Sequence, residues 1–248
     1  EILFLHARDI FARLEEAHSD IAALKSVLRG RLAIGTSDTN CTYILPGLLA
    51  EFRAQRQTRM EDDRQQMGQL KRWWMARMIA TPRPLQEQLA LLWHSHFASN
   101  FRTVRDSYLM YKQNQFFRAQ AGVSFANLAT GIIRDPAMIR FLDNHNNRRR
   151  SPNENLAREL MELFSLGIGH YTEEDVREAA RAFTGWQVQK RDGVFVFSFE
   201  ERRHDFGEKT FLGTTGNLDG DDVVDIIMAE RVSAEFICRK LFEFFAYD

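Results

Sequence analysis

Cysteine is almost missing from the 248 residues. Cys41 and Cys238 stand far apart and match no zinc or thiol–disulfide spacing, so neither a disulfide scaffold nor a cysteine metal cluster holds this chain together. Both read as small buried hydrophobes. An excess of charge of one sign is missing too. Lys plus Arg (33) and Asp plus Glu (34) cancel to a net charge of −1, which gives no general pull toward nucleic acid or an anionic membrane. No apolar run approaches the ~20 residues of a membrane-spanning helix. The chain has no glycine-rich phosphate loop, no serine elbow, no HExxH helix and no interleaving of basic with aromatic residues. Nucleotide hydrolysis, serine hydrolysis and zincin chemistry are disfavoured accordingly, and no nucleic-acid partner or membrane insertion is expected. An initiator Met is absent: the chain opens on Glu1 and ends just after the apolar Leu241-Phe242-Glu243-Phe244-Phe245, so both ends read as cut and a signal peptide is not expected to show.

What is present is the composition of a packed domain, 44% hydrophobic and 27% charged, in a length that suits one large domain or two small ones. Leu3, Ala7, Ile10, Leu14, Ala17, Ile21, Leu24 and Leu28 alternate steps of four and three. This heptad seam predicts a coiled-coil-like helix, with pairing of a second copy through residues 3–28, and Gly30 ends it. Residues 31–35 read as a short strand, followed by a turn and a helix carrying Leu45, Leu48, Leu49 and Phe52, with Pro46 in its first turn. The pattern breaks over residues 56–64, read as a junction. Beyond it, apolar periodicity predicts helices over 65–79, 85–97, 107–120, 125–142, 152–166, 172–183, 221–228 and 233–245. One β-hairpin is expected at 186–190 and 194–199, around Asp192-Gly193. The expected fold is mainly α, an irregular helical bundle with one small hairpin.

Two stretches resemble known families. Residues 24–55, LKSVLRGRLAIGTSDTNCTYILPGLLAEFRAQ, resemble the linker helix and the start of the effector domain of LysR-type transcriptional regulators. That resemblance implies a regulator fragment, residues 1–55, without the helices that read DNA. Residues from about 65 to 245 resemble the bacterial family called domain of unknown function 1800, and the domain is read as 65–248. The resemblance is carried by Trp93-His94-Ser95-His96-Phe97, by Arg134-Asp135-Pro136-Ala137-Met138, and above all by residues 152–186, PNENLARELMELFSLGIGHYTEEDVREAARAFTGW. His204-Asp205 and Lys209-Thr210-Phe211-Leu212-Gly213 follow. This second resemblance implies a helical domain, often in exported or periplasmic proteins, truncated here at both ends, and supplies no catalytic residues.

Candidate site residues come from the chemistry in these blocks. At ~100° per residue, His96 shares a face with Leu85, Leu89, Leu92 and Trp93, whereas His94 lies ~200° away and joins His96 on one metal only if the helix ends near Trp93. Adjacent His204 and Asp205 suit a metal or a proton relay, with Lys209 close by, or else a turn in which Asp bonds its own backbone. Ser151, Pro152 and Glu154 read as a capping box, and Glu154, Arg158 and Glu162 as a ladder at i, i+4, i+8. Thr172 with Asp175 opens the next helix. Arg148, Arg149, Arg150 and Arg158 suit an anion. Asp143, Asn147 and Glu154 fall on calcium-loop positions, but Arg148 stands where the loop needs Gly. Three readings follow: an exported enzyme with a centre of His96, Glu159, Glu162, Asp175 and His204, around a divalent metal held by His94, His96, His204 and Asp205; a non-catalytic scaffold or binding module; and a truncated regulator. No organic cofactor site is indicated, and the substrate, small molecule or polymer, stays open.

Overall fold

The computed structural model of the chain describes residues 45–191 and 193–246, with side chains from Thr58 onward apart from Arg59. The heptad seam, the strand over 31–35 and Cys41 lie outside the described residues. The chain divides into two units, 1–55 and 56–248, and everything below concerns the second apart from the first turns of one helix.

That helix, α1, runs over Leu45–Ala80, so residues 56–64, expected to be a junction, are helical. They contain no Gly or Pro to stop them. Helix α2 (Pro84–His96) starts on a proline and continues through both histidines. Its core face is Glu87, Ala90, Leu92 and Trp93; Leu85, expected on that face, is exposed in the first turn. Three caps then follow from side chains that accept backbone N–H groups. Asn100 takes Thr103 N–H (2.9 Å) for α3 (Phe101–Val104), Asp106 takes Leu109 N–H (3.0 Å) for α4 (Ser107–Ala119), and Asp135 takes Met138 N–H (3.0 Å) for α6 (Pro136–Phe141). The helix expected over 125–142 is therefore two, α5 (Phe125–Ile133) and α6, because Pro136 cannot continue the first but suits the start of the second.

Helix α7 (Asn155–Glu159) passes into a π turn, Leu160–Ser165, and Gly167 (φ +82°) ends it. The box expected at Ser151 does not form. Ser151 N–H is bonded back to Arg148 O (2.8 Å), Asn153 N–H to the Asn147 side chain (2.9 Å), and Asn153 Oδ1 takes over the helix start by accepting Asn155 N–H (3.0 Å). Helix α8 (Glu173–Ala182) has the expected box: Thr172 Oγ1 accepts Asp175 N–H (3.2 Å) and Asp175 Oδ2 accepts Thr172 N–H (2.8 Å). Its inward face is Val176, Ala179 and Ala180, with Phe183 just beyond. Helix α9 (Gly220–Ala229) opens on a second box, Asp219 with Asp222, and α10 spans Arg231–Ala246. Cys238 on α10 is exposed, contrary to the buried reading, since Phe236 and Ile237 take the inner face.

The expected hairpin is present as β1 (Trp186–Arg191) and β2 (Val194–Phe199), antiparallel from Trp186↔Phe199 to Arg191↔Val194. A second two-stranded pair, β3 (Lys209–Phe211) with β4 (Thr214–Gly216), was not expected. Its turn has positive φ at both Leu212 (46°) and Gly213 (80°), and leucine is not a residue that announces such a turn. Leu212 N–H is held there by Asp175 Oδ1 (2.8 Å). The core lies between α2, α5, α7, α8 and α9, where Phe97, Phe117, Leu128, Ile132, Leu156, Phe183 and Val223 are all but fully buried. Each such side chain contributes about 1.5–3 kcal/mol. Trp186 joins them, edge-on to Phe183 (5.1 Å) and Phe197 (5.2 Å), as expected of a core residue.

Candidate functional site

The residues selected for a catalytic centre have separate surroundings. The π turn widens the last turn of α7, so that Leu166 and Gly167 N–H both bond Met161 O and the Phe164 carbonyl is left without a helical donor. His96 Nε2–H supplies it at 2.9 Å, inside a nest of Trp93, Phe97, Phe125, Phe164 and Phe236 rings. Burial pushes His96 down to about 4; the Phe164 bond works upward and Lys240 downward. This histidine is a helix cap, uncharged at neutral pH. His94 points elsewhere, since α2 does not end at Trp93: its Nε2 accepts from Asn114 Nδ2 (3.0 Å) and its ring meets Trp74 and Phe117. Burial, then Arg118, brings it to about 4.

His204 is buried and donates Nδ1–H to Thr184 O (2.8 Å), between Phe199 and Phe206. Its neighbour Asp205 turns away to Arg181 Nε (2.7 Å) and to Gly207 N–H (2.9 Å), and Arg181 holds its carboxyl below the usual range. The adjacent pair therefore forms no dyad; the turn reading of Asp205 is the one seen. Lys209 is buried with Nζ donating to Gly207 O (3.0 Å), and burial lowers its pKa against Asp205. Asp175 is spent on its capping box and Leu212; burial opposes its ionisation, but the Thr172 and Leu212 bonds prevail and lower its pKa. Glu162 accepts the Tyr171 hydroxyl (3.0 Å) in place of the ladder contact expected with Arg158. Glu159 is half-buried and its carboxyl is raised by burial and by Glu162. Among the described residues, no three His, Cys, Asp or Glu side chains are placed to hold one metal ion.

The arginine cluster fares differently. Asp143, in the left-handed region (φ 59°), ends α6, and a single 3-10 turn, Asn144–Asn146, follows. Asn147 is the buried hub of the loop. Its Nδ2 donates to Asn144 Oδ1 (3.0 Å) and Ala180 O (2.9 Å), its Oδ1 accepts Asn153 N–H, and its carbonyl accepts Gly185 N–H (3.3 Å). Arg149 N–H bonds Arg203 O (2.8 Å), tying the loop to the turn after β2. The loop is thus tied down at Asn147 and Arg149 while the Arg148, Arg149 and Arg150 side chains are exposed with no carboxylate partner among the described residues. Beside them opens a cleft of about 460 Å³, lined by Asn146, Arg148, Ser151, Asn153, Asn155 and Arg203, with Pro152 and Glu154 at its wall. Arg203 is shared with Glu200 (2.8 Å), and Glu154 with Arg158 (3.0 Å). Arg158 itself is not available to an anion: it grips Glu173 through both carboxylate oxygens (2.8 and 2.7 Å).

One buried ion network was not foreseen. Glu87 accepts Arg118 Nε (2.7 Å), Arg118 NH2 (3.0 Å), Arg77 Nε (2.6 Å) and the Trp74 indole N–H (3.1 Å). Burial opposes its charge, but the arginines hold its pKa down to about 2. The i−13, i−10 and i+31 separations leave no local signal in the sequence.

Comparison with known proteins gives one match. A family model described as "Protein of unknown function (DUF1800)" matches residues 7–248. The match includes most of the segment read as LysR-like, and nothing in the comparisons supports that reading of residues 1–55. No curated protein and no solved structure matches the chain.

Proposed function

Since the chain belongs to the DUF1800 family, whose description assigns no activity, its function has to be read from its own geometry, and we propose that residues 56–248 form a helical binding module that takes an anionic ligand in the cleft beside Arg148. The observation that carries this reading is the contrast among arginines. Arg134, Arg158, Arg177, Arg181 and Arg203 each hold a carboxylate, whereas Arg148 lines a polar hollow without one, and Arg149 and Arg150, next to it in the chain, hold none either. Guanidinium groups bind carboxylate, sulfate and phosphate through paired N–H donors, and the Asn146, Asn153 and Asn155 amides add further donors. The hub at Asn147 fixes the loop before any ligand arrives, so little ordering cost attends binding. His96 and Asp175, selected for a catalytic centre, cap helices, and Glu162 accepts a tyrosine hydroxyl, which suits a scaffold.

Calorimetric titration with inorganic phosphate, sulfate and citrate tests this. Binding that weakens as salt rises, and that falls about tenfold in Arg148→Glu, is expected; one charge-assisted contact contributes about 1.5–3 kcal/mol. No heat with any of the three anions, or full affinity in Arg148→Glu with Arg150→Glu, overturns it.

A further inference from the structure

On the face made by α1 and α4, three large aromatic side chains remain in solvent. Trp73 is 37% exposed, Tyr108 47% and Tyr111 38%, although Leu109 and Met110 between the tyrosines are buried. Tyr108 and Tyr111 lie one turn apart on α4, their ring centroids 6.4 Å apart. Trp73 on α1 meets Tyr111 at 5.9 Å, edge to face. Together they floor an open hollow of about 370 Å³ whose rim is Gln66, Gln69 and Ser107. Exposed aromatics gathered on a fixed surface mark a binding site more often than scattered ones do.

The rim chemistry narrows the ligand. Ser107 Oγ donates its one proton to Asp63 Oδ1 (2.9 Å) and lies 2.6 Å from one polar atom of the Gln66 carboxamide, whose other polar atom has no protein partner among the described residues. The Gln69 amide, both tyrosine hydroxyls and the Trp73 indole N–H also have no protein partner among the described residues. Hydroxyls and carboxamides each offer a donor and an acceptor, which is what a ligand rich in hydroxyl groups requires. No carboxylate, ammonium or guanidinium lines the hollow. The two guanidinium groups over the Trp73 ring, Arg118 at 5.2 Å and Arg77 at 5.8 Å, are both bound to Glu87, so they offer little to an anion. They also set positive charge against the ring, which disfavours a cationic ligand there by repulsion. What remains is a neutral molecule with apolar C–H faces to set on the rings and hydroxyls at its edge, the description of a pyranose sugar. A proline-rich peptide would use the rings and the indole N–H but, offering only carbonyl acceptors there, would leave the acceptors of the rim unused.

We propose that Trp73, Tyr108 and Tyr111 form a binding shelf for a neutral carbohydrate, separate from the cleft beside Arg148. The experiment is affinity electrophoresis of the full chain through gels holding soluble β-glucan, xylan, starch or glycol chitin, followed by calorimetry with the hexasaccharide of whichever polymer retards it. A polyproline peptide and tetramethylammonium serve as the competing chemistries. The expected result is retardation by at least one neutral glycan, with affinity reduced tenfold or more in Trp73→Ala and in Tyr108→Ala and unchanged in Arg148→Glu. Tyr108 is the more exposed of the two, so its truncation keeps the test valid if the tryptophan variant fails to fold. Absence of retardation by all four glycans, equal affinity in Tyr108→Ala, or binding of the peptide or the cation at this shelf in place of sugar overturns the proposal. Loss of sugar binding in Arg148→Glu overturns the separation of the two sites.

Discussion

Neutralising the carboxyl of Asp135 should make the protein more sensitive to acid, the reverse of the usual effect of removing an acidic group. Asp135 caps α6 and also accepts the Gln113 amide (2.9 Å); burial, against these bonds, raises it to about 6. His94 and His96 are lowered to about 4. Stability changes with pH by 2.303RT times the protons bound by the unfolded chain minus those bound by the native one, about 1.4 kcal/mol per pH unit for each whole proton. Near pH 5 the unfolded chain carries a proton on each histidine that the native protein lacks, an excess of two. Native Asp135 carries one that the unfolded chain lacks, which brings the net excess to about one. From these three groups stability therefore falls by about 1.4 kcal/mol per unit as pH drops from 5.5 to 4.5. The histidine contribution, about 3 kcal/mol each, is intact above pH 6.5 and lost on the way down to pH 4. The Asp135 contribution has the opposite sign, present in acid and lost as pH rises through 6. Asp135→Asn keeps the cap and removes the titration, so the slope should steepen by about 1.4 kcal/mol per unit over the wild type, while His96→Gln should flatten it by about the same amount. Glu159 and Asp221 also shift upward, and Glu87, Glu173, Asp175 and Asp205 downward, but they are common to all three proteins and cancel in the comparison. Urea unfolding followed by circular dichroism at pH 4.5, 5.0 and 5.5 measures the slopes. Equal slopes for the wild type and Asp135→Asn would refute the reasoning.

Glu87→Gln leaves the nearly buried Arg118 guanidinium without its carboxylate and should cost about 3–5 kcal/mol in urea unfolding; Glu87→Leu with Arg118→Met should recover most of it, and a loss under 1 kcal/mol in the single variant would show the pair to be unimportant. Arg77→Ala, whose side chain is 42% exposed, should cost no more than about 1 kcal/mol. Gly220→Ala should lower stability by about 1–3 kcal/mol, because its Cβ would stand 2.3 Å from the Trp186 ring and 2.7 Å from that of Phe183, both buried; Gly122→Ala, with nothing within 4 Å, is the control, and equal melting temperatures for the two would contradict the packing.

Much of the fold could be read in advance because its determinants are local. Thr172 and Asp175 lie three positions apart, and the capping box they form is present. The inward set Val176, Ala179, Ala180 and Phe183 follows from helical spacing alone, as does the β-branched and aromatic run that makes β2. Where the expectation failed, something distant had intervened. Ser151 has the right residues after it for a cap, but Asn147 captures Asn153 N–H and the turn at Arg148 takes Ser151 N–H. The β3–β4 turn depends on Leu212 in a conformation leucine rarely adopts, held by a carboxylate 37 residues away.

The site was harder to read than the fold for a related reason. A histidine in a sequence announces chemistry, yet what decides its role is the partner of each ring nitrogen, and for His96 and His204 those partners are main-chain carbonyls, Phe164 O and Thr184 O, that carry no side-chain signature. Phe164 O needs a donor because it lies in the last turn of the helix, and which side chain reaches it is decided by the packing of α2 against that turn. The acidic residues were ambiguous in the same way: Asp175, Glu162 and Asp205 each found a nearby N–H, hydroxyl or guanidinium before they could meet one another. Groups left unpaired are then the informative ones. The three arginines beside Asn147 were legible as a cluster suited to an anion because they are consecutive in the chain, whereas the aromatic side chains around Trp73 were not, being divided between α1 and α4.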